Sequence, residues 1–182
     1  MIRKFFLNIP EILRGLLYKL VYLRRISGKR IRIGKRANFI LGNEKIELGE
    51  WFQCRSNLNL RVVKNGKFKV GNNVFFNDNC CITVLEKVKI GDYSSFGQGV
   101  CIYDHDHIYK TENLTGKSGY NKSSVIIGKN VWVGANCTIL KGSHIGDNSV
   151  IAAGTVVRGK IPANSLVYNQ RDLIIKNIKY EN

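Results

Sequence analysis

The chain has 182 residues, 44% of them hydrophobic, which is enough for one sizeable core and excludes disordered and collagen-like chains. Its 29 Lys and Arg against 13 Asp and Glu leave a formal net charge of +16, which points to an anionic partner without choosing among polyanion, membrane and phosphorylated small molecule.

The charge is uneven: residues 1–36 hold eleven basic side chains and one acid, Glu11, for +10, and the remainder supplies +6. Within this basic head, residues 9–24 place Ile9, Leu13, Leu16, Leu17, Leu20 and Leu23 on one helical stripe, with Pro10 suited to a first turn and Ser27-Gly28 to a stop. The expectation is a short amphipathic helix in a segment 1–30 that covers the open end of the body behind it. Its excess cations also make weak binding to anionic bilayers an expectation. The apolar stretches are broken by Glu11, Arg14 and Lys19, no small-residue cleavage site follows, and nothing approaches twenty uninterrupted apolar residues, so the sequence reads as cytoplasmic without a spanning helix. Five cysteines, Cys54, Cys80, Cys81, Cys101 and Cys137, form no CxxC pair and are odd in number, which fits small core residues in a reducing compartment.

From residue 31 the pattern changes. After Ile33 and Phe39, apolar residues recur every six positions in triplets: Leu48, Cys54, Leu60; Val70, Phe76, Ile82; Ile90, Phe96, Ile102. From Ile127 the rhythm runs without a gap through Val133, Ile139, Ile145, Ile151 and Val157. All fifteen triplet positions are apolar, a chance on the order of a few in a million at this composition. Small or β-branched residues take the fourth place after each apolar one, as Val131, Cys137, Ser143, Ser149 and Thr155. A period of six belongs to neither helix nor strand; it fits one short strand plus a corner, three of which make one coil of a triangular prism. Stacked coils pair strands in parallel and bury the apolar column, because a single coil has almost no interior. About five coils and a partial one at Ile33 and Phe39 are expected over 31–161. Glycines following the apolar residue, such as Gly34, Gly49, Gly71, Gly91, Gly97, Gly128, Gly134 and Gly146, are expected to supply positive φ at the corners.

Ile102 and Ile127 stand twenty-five apart where six is the rule, so about nineteen residues of 103–126 leave the prism as a protruding loop. The loop opens with Tyr103-Asp104-His105-Asp106-His107, which carries two of the three histidines; His144 is the third and reads as an exposed corner. Asn77-Asp78-Asn79, Ile90-Gly91-Asp92 and His107 have the types and spacing of the N-x-N, I-G-D and terminal His of the hexapeptide-repeat acetyltransferases. Ile127-Gly128-Lys129-Asn130-Val131-Trp132-Val133-Gly134-Ala135 and Ala152-Ala153-Gly154-Thr155-Val156-Val157 resemble that family's I-G-x-x-V-W-I-G-x and G-A-G-S-V-V segments. Over roughly residues 65–167 the chain resembles the acetyl-CoA-dependent sugar O-acetyltransferases of this family, typified by galactoside and maltose acetyltransferases and their polysaccharide-modifying relatives.

The resemblance implies an all-β, left-handed parallel β-helix that assembles as a homotrimer, with active sites between adjacent prisms. It implies acetyl transfer to a sugar hydroxyl in bacterial capsule, O-antigen or exopolysaccharide assembly, possible only if a base removes the hydroxyl proton. A neutral imidazole, with an unperturbed pKa near 6.5, suits that task. His107 is the histidine in register with the family's catalytic one. Asn79, Asp104 and His105 are expected at the acceptor; Asn79 also reads as a corner residue bonding its own backbone, and Asp104 or Asp106 as a group orienting an imidazole. Ala135 and Ala153 are expected along the pantetheine arm of acetyl-CoA, and Arg158 or Lys176 at its phosphates. No metal and no nucleic acid are implied.

After Ile161-Pro162 the family's G-x-P-A-K/R-like turn is replaced by Tyr168-Asn169-Gln170-Arg171-Asp172-Leu173, in a tail taken as 162–182. The helical front domain of maltose-type enzymes is shorter here, which favours a surface-glycan sugar or its lipid-linked precursor over a free disaccharide, with the inner membrane surface as a place of action. Three rivals remain: N-acetyl transfer to an amino sugar or an antibiotic, a γ-carbonic-anhydrase-like zinc site at His105, His107 and His144, and a non-catalytic glycan-binding scaffold.

Overall fold

The computed structural model describes residues 10–22, 25–108 and 119–170. The first turn carries β1 (Arg32–Ile33), β2 (Asn38–Ile40) and β3 (Ile46–Leu48), and the second β4 (Gln53–Cys54), β5 (Asn59–Val62) and β6 (Lys67–Val70). The third carries β7 (Phe75–Phe76), β8 (Cys81–Val84) and β9 (Lys87–Ile90). The fourth begins with β10 (Ser95–Phe96) and β11 (Cys101–Tyr103), is interrupted by β12 (His105–His107) and β13 (Tyr120–Lys122), and closes with β14 (Val125–Ile127). The fifth holds β15 (Trp132–Val133), β16 (Thr138–Ile139) and β17 (His144–Ile145), and the sixth β18 (Val150–Ile151), β19 (Val156–Val157) and β20 (Lys160–Ile161). β21 (Leu166–Val167) opens a seventh turn beyond Ile161.

Apart from β12 and β13, each strand pairs in parallel with its counterpart one turn away, giving a first face of seven strands that starts at β1, and second and third faces of six that start at β2 and β3. The register is in phase: Phe76 lies beside Cys54 on one side and Phe96 on the other. All fifteen six-step positions point inward and are 3% exposed or less. Burying each such side chain is worth about 1.5–3 kcal/mol. Phe76 and Phe96 stack with ring centres 4.3 Å apart along the axis.

There are six complete turns rather than the expected five and a part. Every departure from the six-residue step falls at the corner between the second and third faces: Phe39 to Leu48, Leu60 to Val70, Ile82 to Ile90, Ile102 to Ile127 and Val157 to Ile161. That corner absorbs length, so periodicity lost the first turn there.

The glycines do a different job from the one expected. Gly34, Gly49, Gly71, Gly91, Gly97, Gly128, Gly134 and Gly146 all lie outside the positive-φ region. They sit where successive turns meet backbone to backbone; a Cβ on Gly134 would stand 2.6 Å from the amide nitrogen of Ala153. Positive φ falls instead two residues later, on Arg36, Trp51, Asn73, Tyr93, Gly99, Asn130, Asn136 and Asn148, and at the equivalent corner places without such a glycine on Asn57, Asn79 and Asn164. The stacked amides bond to one another, Asn130 Nδ2 to Asn148 Oδ1 at 3.0 Å and Asn148 Nδ2 to Asn164 Oδ1 at 3.2 Å.

α1 (Glu11–Val21) lies over the first turn and covers the open end, as expected, but with the opposite face inward. Leu13, Leu16 and Leu20 point to solvent; Ile9 and Leu23 lie outside the described residues. On the third face Ile26 precedes the first turn, bridging Ile46 with the Ser27 amide donating to Ile46 O at 3.1 Å, but on the other two faces no preceding turn occupies its carbonyls, and an unpaired edge needs donors. α1 and the residues behind it supply them. Arg14 Nε donates to Ile33 O at 2.7 Å, Tyr18 Oη to Ala37 O at 2.5 Å and Lys19 Nζ to Gly28 O at 2.7 Å. Tyr22 and Arg25 donate to the carbonyls of Phe39 and Gly42. Gly15 lets the helix approach, since a Cβ there would meet Ile31 O at 2.2 Å. Among the described residues no helix is long and apolar enough to cross a membrane.

Candidate active site

The fourth turn leaves the column at Asp104, at the corner that absorbs length. The Asp104 carboxylate is fully buried and accepts the amides of Leu85 (2.9 Å), Glu86 (2.7 Å) and Lys87 (2.8 Å) from the turn below. Its Oδ1 lies 3.2 Å from His105 Nδ1, and its carbonyl accepts the amide of Ser123 at 2.9 Å, which brings the chain back into the column. The Asp104 oxygens, expected at the acceptor, are taken up inside the protein, where they root the excursion and lie against an imidazole.

Beyond this root, β12 and β13 form an antiparallel hairpin that pairs His105 with Lys122, Asp106 with Asn121 and His107 with Tyr120. Alternation along β12 puts His105 and His107 on one side and Asp106 on the other. The phenol ring of Tyr120 faces both imidazoles, with ring centres 4.7 Å from His107 and 5.4 Å from His105. His105 is the more enclosed, packed edge-on against Tyr103 at 6.2 Å, whereas His107 is exposed. Burial is the largest cause that pushes the Tyr103 phenol above its ordinary range, so it stays neutral beside His105.

On the other side, Asp106 Oδ2 lies 3.6 Å from Lys141 Nζ and 3.7 Å from Arg158 Nη2. These cations project from the corners of the fifth and sixth turns. The hairpin therefore carries imidazoles on one surface and rests an acid against two phosphate-competent cations on the other.

The site residues expected from the sequence that are described fall mostly into two groups. His105, His107, Asp104 and Arg158 gather at the corner between the second and third faces. Asn79, Ala135 and Ala153 lie on the corner between the first and second. Asn79 has φ 62° and accepts from Asn57 Nδ2 at 2.8 Å; Ala135 and Ala153 sit one above the other, with the Gly154 amide donating to Ala135 O at 2.8 Å. Lys176 lies outside the described residues. His144 is exposed on the third face, between Ile126 and Lys160. Among the described residues no three His, Cys, Asp or Glu side chains are grouped to hold a metal ion. Tyr120 and Lys141 were not anticipated. Tyr120 stands thirteen positions from His107 across a stretch with no repeat, and only the hairpin pairing brings them together.

Residues 124–159 match the family described as bacterial transferase hexapeptide (six repeats). The chain is 32% identical over 169 residues to the protein named lipopolysaccharide biosynthesis O-acetyl transferase WbbJ of Escherichia coli (strain K12), covering 88% of this chain and 86% of that one. Its fold is similar to that of a maltose O-acetyltransferase from Clostridium difficile 630, with 26% identity, TM-score 0.62, and coverage of 98% of this chain and 83% of that one. It also shares the fold of the hexapeptide-repeat acetyltransferase VCA0836 of Vibrio cholerae O1 biovar eltor, solved with acetyl coenzyme A, with 20% identity, TM-score 0.63, and coverage of 90% and 76%. A six-step column, a histidine hairpin at its length-absorbing corner and a relative matched nearly end to end converge: the chain is an acyltransferase and belongs to the hexapeptide-repeat acetyltransferases.

Proposed function

We propose that this protein transfers acetyl from acetyl-CoA to a sugar hydroxyl of a bacterial surface glycan or its lipid-linked precursor, with His107 as the general base. The observation that carries the reading is the hairpin: two imidazoles on one surface, one of them open to solvent, and Lys141 and Arg158 beside it. The relative named for lipopolysaccharide biosynthesis supports the acceptor class.

A sugar hydroxyl is a poor nucleophile at neutral pH. His107 accepts its proton as the oxygen attacks the acetyl carbon, and returns that proton to the departing sulfur, so the imidazole ends unchanged. Tyr120 packs against the His107 ring and limits its rotation. Arg158 and Lys141 would meet the phosphates of the donor, and the small side chains of Ala135 and Ala153 leave backbone amides of that ridge open to the pantetheine arm and the carbonyl oxygen. These two sets lie on different corners of one prism, which supports a homotrimer in which one chain's histidine hairpin faces its neighbour's alanine ridge.

The test is thiol release from acetyl-CoA across a panel of sugars, sugar nucleotides and lipid-linked glycans. His107→Ala is expected to keep trimeric sedimentation and acetyl-CoA binding and to lose about 10²–10⁴-fold in transfer. Near-full turnover would reject the assignment. The Asp104–His105 contact favours one second reading, with His105 as base; a larger loss in His105→Ala than in His107→Ala would establish it.

A further inference from the structure

We propose that the outer face of α1 is an interfacial anchor that seats Ile12, Leu13, Leu16, Leu20 and Val21 in the headgroup region of an anionic phospholipid bilayer. The proposal deepens the reading above by holding the enzyme beside a lipid-linked acceptor, but its geometry is independent of the catalytic assignment.

Three observations carry it. First, the five side chains are 45–67% exposed on a helix of eleven residues, a concentration of apolar surface that soluble helices usually bury. The helix cannot roll over to hide them, because its other side is committed: Arg14, Tyr18 and Lys19 hold carbonyls of the first turn, and Gly15 sits against Ile31.

Second, the rim around this face is cationic. Lys29, Arg30, Lys35 and Arg36 are exposed at the corners of the first turn that the helix covers. Between Glu11 and Glu44 the sequence has no acidic residue at all. Apolar residues ringed by Lys and Arg are the arrangement by which a helix lies in the plane of an anionic membrane surface. The same rim argues against a second copy docked end to end, since that would set two strongly positive ends against each other.

Third, α1 lies across the end of the column, so its outer face looks away from the prism. Docking there leaves all three faces and their corners in water. The histidine hairpin, three turns up, then stands about 15 Å above the first turn at the usual strand spacing. A cyclic trimer sets its three copies of α1 at one height, so all three faces meet the same plane.

The experiment is flotation of the full chain with phosphatidylcholine vesicles and with vesicles that also contain phosphatidylglycerol, at low and high salt. Binding is expected on the anionic vesicles and is expected to weaken with salt. Leu16→Glu with Leu20→Glu is expected to weaken it by about tenfold or more, the scale of losing two buried leucines, while the helical signal, melting temperature and thiol release with a water-soluble acceptor stay unchanged. Unaltered flotation of that double variant, or no binding by the wild-type chain at low salt, would overturn the proposal. So would a wild-type self-association that the double variant abolishes without vesicle binding, which would assign the face to a second copy. His107→Ala is expected to float as the wild type does, so a failed catalytic assignment and a failed anchor give different results.

Discussion

Asp104 shows how much of the site rests on one buried group. Its carboxylate takes three backbone amides, the His105 ring lies against it, and its own carbonyl closes the hairpin. In Asp104→Ala those amides lose their acceptor in a place water does not reach, so the variant is expected to lose about 2–4 kcal/mol in urea unfolding. A urea midpoint within error of the wild type would show that the amides find other partners. The histidines were legible in the sequence as types in register with a family, and their arrangement was not: Asp104 and His105 are adjacent in any reading, yet only the fold shows that one is sealed and the other leans on it. The glycines teach the same limit. A glycine that avoids a clash and a glycine that supplies positive φ leave the same letter, and the residues two positions on, which carry the φ, are as varied as Asn130, Arg36 and Tyr93.

α1 was visible as an element from its spacing, and its direction of burial was not. An apolar stripe ordinarily faces inward, but the end of a parallel column presents open carbonyls, and hydrogen-bond donors win that surface over leucines. One consequence is alkaline sensitivity. Burial is the largest cause that pushes the Tyr18 phenol from its ordinary value of 10 up to about 12, and burial also raises Tyr22. The neutral form is favoured in the folded state, so the contribution is complete below pH 10 and is lost as the pH climbs toward 12, where the unfolded chain ionises first. Tyr18→Phe, which also gives up the bond to Ala37, is expected to be less stable by about 1 kcal/mol at neutral pH and to show a shallower decline above pH 10. Urea unfolding as a function of pH checks both parts; an equal decline in the two proteins would remove Tyr18 from the account.

The column as a whole was the most legible feature, because stacking forces the same inward position to repeat and each failure of the rhythm marks one particular corner. The number of turns was under-read where that corner took up extra residues. The core this rhythm builds is closed to reagents. Burial is the largest cause that pushes the Cys54 thiol up to about 12 and the Cys80 thiol up to about 11, while Cys81 and Cys101 sit side by side on the outer surface of the second face. Iodoacetamide at mildly alkaline pH is therefore expected to label Cys81 or Cys101 in the native protein and to reach Cys54 only after denaturation, read by peptide mass spectrometry. Early labelling of Cys54 would mean that the second turn opens far more readily than its packing allows.

The Asp104–Ser123 bond closes the excursion at its base. The winding resumes on the far side of the excursion with Val125 beside Val88 and Ile127 beside Ile90, in step with the turn beneath, as if nothing had been inserted. The stem thus interrupts the winding without shifting its register, while Asp106 ties the hairpin to Lys141 and Arg158 of the turns above. Evolution or an engineer can therefore vary the length of the excursion between Asp104 and Ser123 without breaking the column's pairing, so long as Asp106 and the histidines of its stem are kept.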